Sequence, residues 1–409
     1  MSDVDLWSAR PSLAHVHAYA RARRASPAAV LGVVLARVVA ATPPSVVLPP
    51  LVGGEASLNL FVGLVGRSGA GKGAATAVAQ KAYDVGEIET AGAGSGEGLS
   101  HLYARRTKGG DIAQHTTAVL MDIAEIDSLT AITARTGATV LPELRKAWMG
   151  ERLGFAYADP TKRLTVEAHN YRFCLVAGIQ PGRAGGLLSD SDGGTPQRFL
   201  WLPATDPDAP DVAPKAPAVK RWKPPSDALY SSYRKPLVLG VCRSASKVID
   251  AAQLARTRGE EDALDGHSLL SRLKVAAALA LLDDHTAVRE EDWDLAGLVM
   301  DISDDTRAEV EEALGNAEAE EHRKRGRLDA ERVSARNDRL ASVERVAKLI
   351  LKKLPTGGAW VAHAPLRRKV AQRDREYFDR SVQRLLDNGL LEKRSVNGGL
   401  QYRAGKRPA

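Results

Sequence analysis

Cysteine is nearly missing from this chain: Cys174 and Cys242 are the only two in 409 residues. They lie far apart and have no Cys or His companions at metal-ligand spacing. That excludes a disulfide framework and a cysteine-based zinc site, and both read as small core residues in a reducing compartment. Long apolar runs are missing too. The longest, from Pro27 to Ala41, is interrupted by Arg37 and is shorter than the ~20 residues that cross a bilayer. No secretory pattern opens the chain, so a cytoplasmic protein with no membrane partner is expected. Internal repeats are absent as well. With 44% hydrophobic residues, the chain can bury a sizeable core, which excludes disorder throughout and predicts two or three domains.

An excess of positive charge is missing from the body and concentrated at the end. The net charge is +7, yet residues 340–409 hold 16 of the 57 Lys and Arg and only 6 of the 50 Asp and Glu. The tail is therefore a compact cationic module on a near-neutral body. Composition divides the rest into an N-terminal helical segment (1–42), an α/β core (43–235), a helical lid (236–306) and a charged connecting helix (307–339). Within the core, a strand from Leu58 to Val65 runs into a glycine-rich turn and then a helix-forming stretch from Ala74 to Ala82. The continuous apolar runs Ala118–Met121 and Phe173–Ile179 read as buried parallel strands, with a shorter one at Phe199–Leu202. Residues 203–226, rich in Pro, Asp and Ala, read as a linker or surface excursion containing Trp222.

The turn Gly66-Arg67-Ser68-Gly69-Ala70-Gly71-Lys72-Gly73 matches the phosphate-binding pattern G-x-x-x-x-G-K at every fixed position except the last, where Ser or Thr is expected. Its glycines let successive N–H groups point inward, the following helix offers its positive end, and Lys72 can reach the β- and γ-phosphates. ATP with Mg²⁺ is the implied cofactor. Gly73 lacks the hydroxyl that normally ligates Mg²⁺, and Thr76 lies a full turn later, so a slow or purely nucleotide-binding site is a live alternative.

Phosphoryl transfer to water needs one carboxylate on the metal and another to orient the attacking water. Asp122, at the end of an apolar run, is the predicted metal ligand and Glu125 the base, with Asp127 in reserve. Gln180, just past the next strand, suits a γ-phosphate sensor. Between these strands, residues 154–167 read as a β-hairpin around Asp159-Pro160 that carries Lys162 and Arg163 toward DNA phosphates or toward solvent. Arg198 is a candidate finger for a neighbouring subunit's nucleotide, or a plain surface arginine. Arg272 and Lys274 are weaker candidates for a second sensor, and Glu97 reads as a loop acid with no role.

This order of motifs resembles superfamily 3 helicases and other AAA+ ATPases that place a hairpin before the sensor strand. It is most similar to phage and prophage ATPases found downstream of primase-polymerase modules. The matching stretches are Gly66–Gly73, Val119–Glu125, Gly178-Ile179-Gln180-Pro181, Thr195-Pro196-Gln197-Arg198-Phe199, Arg272-Leu273-Lys274-Val275-Ala276 and Asp292-Trp293, and together they span about residues 10 to 305. The resemblance implies an α/β P-loop core of the AAA+ kind with a mainly parallel sheet and a helical lid. It also implies a homo-oligomeric, hexameric ring acting on single- and double-stranded DNA beside a primase or polymerase partner.

The tail reads as helix (343–354), short strand (360–361), helix (364–371), helix (375–388) and a hairpin turning at Asn397-Gly398-Gly399, the layout of a winged helix. Arg375, Arg380, Gln383 and Arg384 are predicted to face the DNA major groove, with Arg394, Arg403, Lys406 and Arg407 flanking the wing. A protein-binding module is the alternative. Two readings of the whole chain follow: an ATP-driven DNA helicase or replication initiator, or a nucleotide-gated DNA-binding or loader factor with little turnover.

Overall fold

The computed structural model describes residues 5–133, 139–157, 159, 163–260 and 265–405. The chain folds into two compact units, Met1–Ala317 and Glu318–Ala409.

The first unit is built on a five-stranded sheet: β1 (Phe61–Val65), β2 (Glu89–Ala91), β3 (Ala118–Ile123), β4 (Arg172–Ile179) and β5 (Phe199–Pro203). The spatial order is β5-β1-β4-β3-β2, and every pairing is parallel. All residues of β1 and β4 are buried. This is why, Arg172 at the start of β4 apart, their sequences are apolar without alternation, since helices cover both faces. The predicted strand from Leu58 is shorter than expected. Ala56 and Ser57 instead pair antiparallel with Val46–Leu48 in a separate small sheet, and the chain joins β1 only at Phe61.

Helices α1 (Pro11–Ala22), α2 (Pro27–Ala41), α3 (Lys72–Ala82), α4 (Asp127–Thr133), α5 (Val140–Met149), α6 (Arg243–Thr257), α7 (Asp265–Leu282) and α8 (Glu290–Lys353) complete the frame. Alternate strand residues divide between two cores. Val62, Leu64, Leu120, Val176 and Leu202 pack with α1, α2, α3 and α7. Phe61, Met121, Leu175, Ile179 and Trp201 pack with α4, α5 and Val310 of α8. Helix α2 is buried from Pro27 to Ala40, and with Leu13, Val16 and Tyr19 of α1 it is part of the sheet's own core. The predicted lid is likewise built into that core, because Leu273, Ala277 and Leu281 of α7 and Val299 of α8 lie in the same cluster as α2.

Residues 203–226 are no free linker. Trp222 is buried and its indole donates to the Leu281 carbonyl at 2.9 Å, while Arg21 holds Asp206 at 2.9 and 3.2 Å. The charged segment 307–339 is helical, as expected, but it merges with the helices on either side into the 64-residue α8.

The second unit contains the last turns of α8, a short strand β6 (Val361–Ala362), α9 (His363–Arg368), a 3₁₀ segment (Gln372–Tyr377), α10 (Phe378–Asp387) and the hairpin β7 (Leu391–Val396) and β8 (Gly399–Ala404). The three strands are antiparallel in the order β6-β8-β7. Val346, Ile350, Leu366, Phe378, Val382, Leu385 and Tyr402 form a core of its own. Asn397 and Gly398, with φ of 49° and 78°, make the tight turn that the sequence signals.

Candidate functional site

Strand β1 ends at Val65, and the chain turns at once into the loop 66–71 and the N-terminus of α3. Gly66 anchors the turn: its N–H donates to Ile179 O at 2.9 Å, and a Cβ there would meet Ala70 at 2.8 Å. Gly69 and Gly71 have φ of 80° and 90°, which an L side chain adopts only under strain. No atom lies within 4 Å of where a Cβ would stand on Gly69, Gly71 or Gly73, so the loop is uncrowded at these three positions. Among the described residues, the N–H groups of Ser68, Gly69, Gly71, Lys72 and Gly73 take no partner within the chain. An open turn, unpaired donors and the positive end of an 11-residue helix fit a polyphosphate. The Lys72 ammonium donates to Gly66 O at 2.8 Å and Arg67 O at 3.0 Å, folded over the loop it belongs to.

The second half of the site comes from β3 and β4. Asp122 pairs in register with Val176 of β4 and opens to solvent at its tip. The packed strand ends around it still desolvate the carboxyl enough to raise its pKa above the ordinary aspartate value. A bound cation would oppose that shift. Glu125 accepts a 2.6 Å hydrogen bond from the Gln180 amide, so base candidate and sensor candidate meet directly. Asp127, the reserve acid, is instead paired with Arg183 at 2.6 Å.

Gly178 joins the two halves, and sequence reasoning passed over it as a functional position. A Cβ at Gly178 would lie 2.1 Å from Ala124 O and 3.1 Å from Lys72 Cε. Its carbonyl accepts from Ile126 N at 2.8 Å. The bare strand end therefore leaves room for the acidic loop and the lysine side chain to come together over it. The available signal was a glycine inside an otherwise unbroken strand run.

Three candidate residues are placed elsewhere. Arg198 is no exposed finger: it is buried, donates to Gly193 O and Gly194 O, and lies 5.4 Å from the Trp148 ring. Burial lowers its pKa to about 10. Arg272 is stacked 4.0 Å over Trp293 and donates to the Trp293 carbonyl, so it ties α7 to α8. Lys274 is fully buried, donating to Asn59 O at 3.0 Å and Trp148 O at 2.5 Å. Asn59 precedes β1, so Lys274 stands at the opposite end of the sheet from the loop. Arg172 joins it there, fully buried and donating to Thr42 O, Pro43 O and Val46 O. Glu97 has a structural task, accepting from Thr139 Oγ1 at 3.0 Å.

Among the described residues, the segment expected to form a hairpin at 154–167 is bounded by an antiparallel bridge of Leu153 with Val166. Arg163 turns back to donate to Tyr157 O at 2.6 Å, and Lys162 lies outside the described residues.

In the second unit, Arg380, Gln383 and Arg384 are exposed on α10, as expected. Arg375 is not on that helix. It sits in the preceding 3₁₀ segment and donates to Val370 O at 3.2 Å, closing the turn after α9. Arg394 and Arg403 flank the Trp360 ring at 4.3 and 4.7 Å, so the hairpin arginines are ordered by an aromatic plane. Lys406 and Arg407 lie outside the described residues.

Among the described residues, no helix is long and apolar enough to cross a membrane. No protein-family model matches the chain, and no curated protein matches its sequence.

Proposed function

We propose that Met1–Ala317 is an AAA+-like P-loop ATPase that works as a homo-oligomeric ring on DNA, in the manner of a helicase or replication initiator. Glu318–Ala409 is then its winged-helix DNA-binding domain. The observation that carries this reading is the convergence of three strand ends. Lys72 follows β1, Asp122 and Glu125 come from β3 and its loop, and Gln180 follows β4, all at the carboxyl edge of one parallel sheet. Open α/β sheets bind ligands at that edge where the strand order reverses, as it does here around β1 and β4.

Each residue then has a task. The loop amides and Lys72 hold the β- and γ-phosphates of ATP, Asp122 would hold Mg²⁺, and Glu125 orients and deprotonates the attacking water. Gln180 ties the position of Glu125 to the site that the γ-phosphate enters. A nucleotide-gated loader with little turnover is the second reading, and Gly73 favours it by removing the usual metal-binding hydroxyl.

ATP hydrolysis with and without DNA, measured on the wild type and on Lys72→Ala, tests the proposal. DNA-stimulated turnover that falls on the order of a hundredfold in the variant is expected. Tight ATP binding without turnover selects the loader. Turnover that survives Lys72→Ala removes the site.

A further inference from the structure

Within Glu318–Ala409, α8 and α10 enclose a groove of about 530 Å³ lined by Arg332, Arg336, Arg339, Arg380 and Arg384 over a floor of Leu340 and Val343. The α8 arginines recur at spacings of four and three, and the α10 pair at four, so each set lies on one helical face. All five are exposed. Acids do little to neutralise them. Arg332 lies 3.5 Å from Asp329 and Arg384 lies 3.9 Å from Glu344, while Arg336, Arg339 and Arg380 form no ion pair among the described residues. Like charges at i and i+4 destabilise a helix, so five guanidiniums around one groove are a cost to the free protein. A polyanion removes that cost, and guanidinium forks match phosphate oxygens better than ammonium groups do.

We propose that the arginine face of α8, residues 332 to 339, together with Arg380 and Arg384 forms a phosphodiester-binding groove that extends the duplex-DNA contact of α10 onto α8. This rests on the DNA-binding reading of the unit and deepens it. Arg332 to Arg339 covers about 10 Å of helix axis, a length over which one strand of B-DNA presents about three phosphates. Two arginines on α10 and three on α8 thus serve one continuous backbone contact. Arg380 and Arg384 can reach base edges or backbone, whereas the α8 set positions the unit without reading sequence.

Duplex-DNA binding by the full chain, followed against salt concentration, is the test. The wild type is compared with the triple variant Arg332→Gln, Arg336→Gln, Arg339→Gln, with the Lys triple at the same positions, and with Arg380→Gln, Arg384→Gln. Loss of three phosphate contacts lowers the slope of log K against log salt by about 2.7 and weakens binding on the order of tenfold, equally for unrelated sequences. The Lys triple keeps the slope, because charge is retained, and it stands in for the Gln triple if that variant unfolds. A Gln triple that is folded and binds with an unchanged slope, while the α10 pair weakens binding, overturns the α8 groove and leaves the DNA reading intact. No binding by the wild type at low salt overturns the DNA reading itself. Displacement of the duplex by poly-glutamate at equal charge concentration overturns the groove as a nucleic-acid site and marks it as one for an acidic protein.

Discussion

Lys72 and Lys274 carry the same side chain to opposite ends of one sheet. Lys72 lies over an open, glycine-lined turn and reaches only loop carbonyls. Lys274 is sealed among Asn59, Trp148 and Arg172, where desolvation and the nearby Arg172 push its pKa well below the ordinary lysine value. Its Nζ donates to two carbonyls and lies 3.4 Å from the centre of the Trp148 ring. The proposed reading gives the first a ligand, and packing gives the second to the core. Gly73, next to Lys72, makes the sharpest residue-scale prediction. A side chain there meets no atom within 4 Å, so Gly73→Ser adds a hydroxyl to the first turn of α3 without a clash. Mg²⁺-dependent ATP turnover is expected to rise several-fold in that variant. Unchanged turnover, with ATP still bound, would show that the missing hydroxyl does not limit the reaction.

Among elements, the decisive fit is between the end of β4 and the loop that leaves β3. The space between Gly178 and Ala124 O is too small for a methyl group, and the obstructing atom is backbone. Gly178→Ala must displace the acidic loop, Lys72, or both, at a cost of about 1–3 kcal/mol for overpacking. The expected outcome is a lower melting temperature together with loss of the stabilisation that ATP confers on the wild type. A variant stabilised by ATP as strongly as the wild type would separate Gly178 from the site. Helix α8 shows a second element-level effect. A surface helix without tertiary packing is marginal in water. Its buried residues Val299 and Val310 belong to the first unit, and Val346 and Ile350 to the second.

At the scale of the whole molecule, histidine burial makes the stability of the first unit depend on pH. His15, His17, His169 and His267 all have pKa values lowered chiefly by desolvation, His267 to about 4 with help from Arg198, Lys274 and Arg256. In the unfolded chain these rings bind protons near pH 6.5. Stability contributed by the neutral rings is thus present above that pH and is lost as pH falls from 6.5 toward 4, because the unfolded state gains the protons first. For His267 alone, the loss between pH 6.5 and 5 is on the order of 1 kcal/mol after allowing for solvent screening. Urea unfolding of wild type and His267→Phe at pH 7 and pH 5 checks this. The variant is expected to lose less stability than the wild type, and equal losses would clear His267 of the effect.

What the sequence determined by itself are the features fixed by local pattern. These are the strand-loop-helix around Lys72, the buried parallel strands ending in Asp122 and Gln180, and the helix, strand and hairpin order of the basic tail. Each follows from apolar period, glycine position and turn chemistry within a few residues. Tertiary structure decided the rest. It buried Arg198 against Trp148, sent Lys274 to the far end of the sheet, drew Trp222 out of an apparent linker, and folded α1, α2, α7 and the start of α8 into the same core. It also set five arginines from two helices around one groove. A charged side chain's solvation and partners depend on segments tens to hundreds of residues away, and no local pattern encodes that distance.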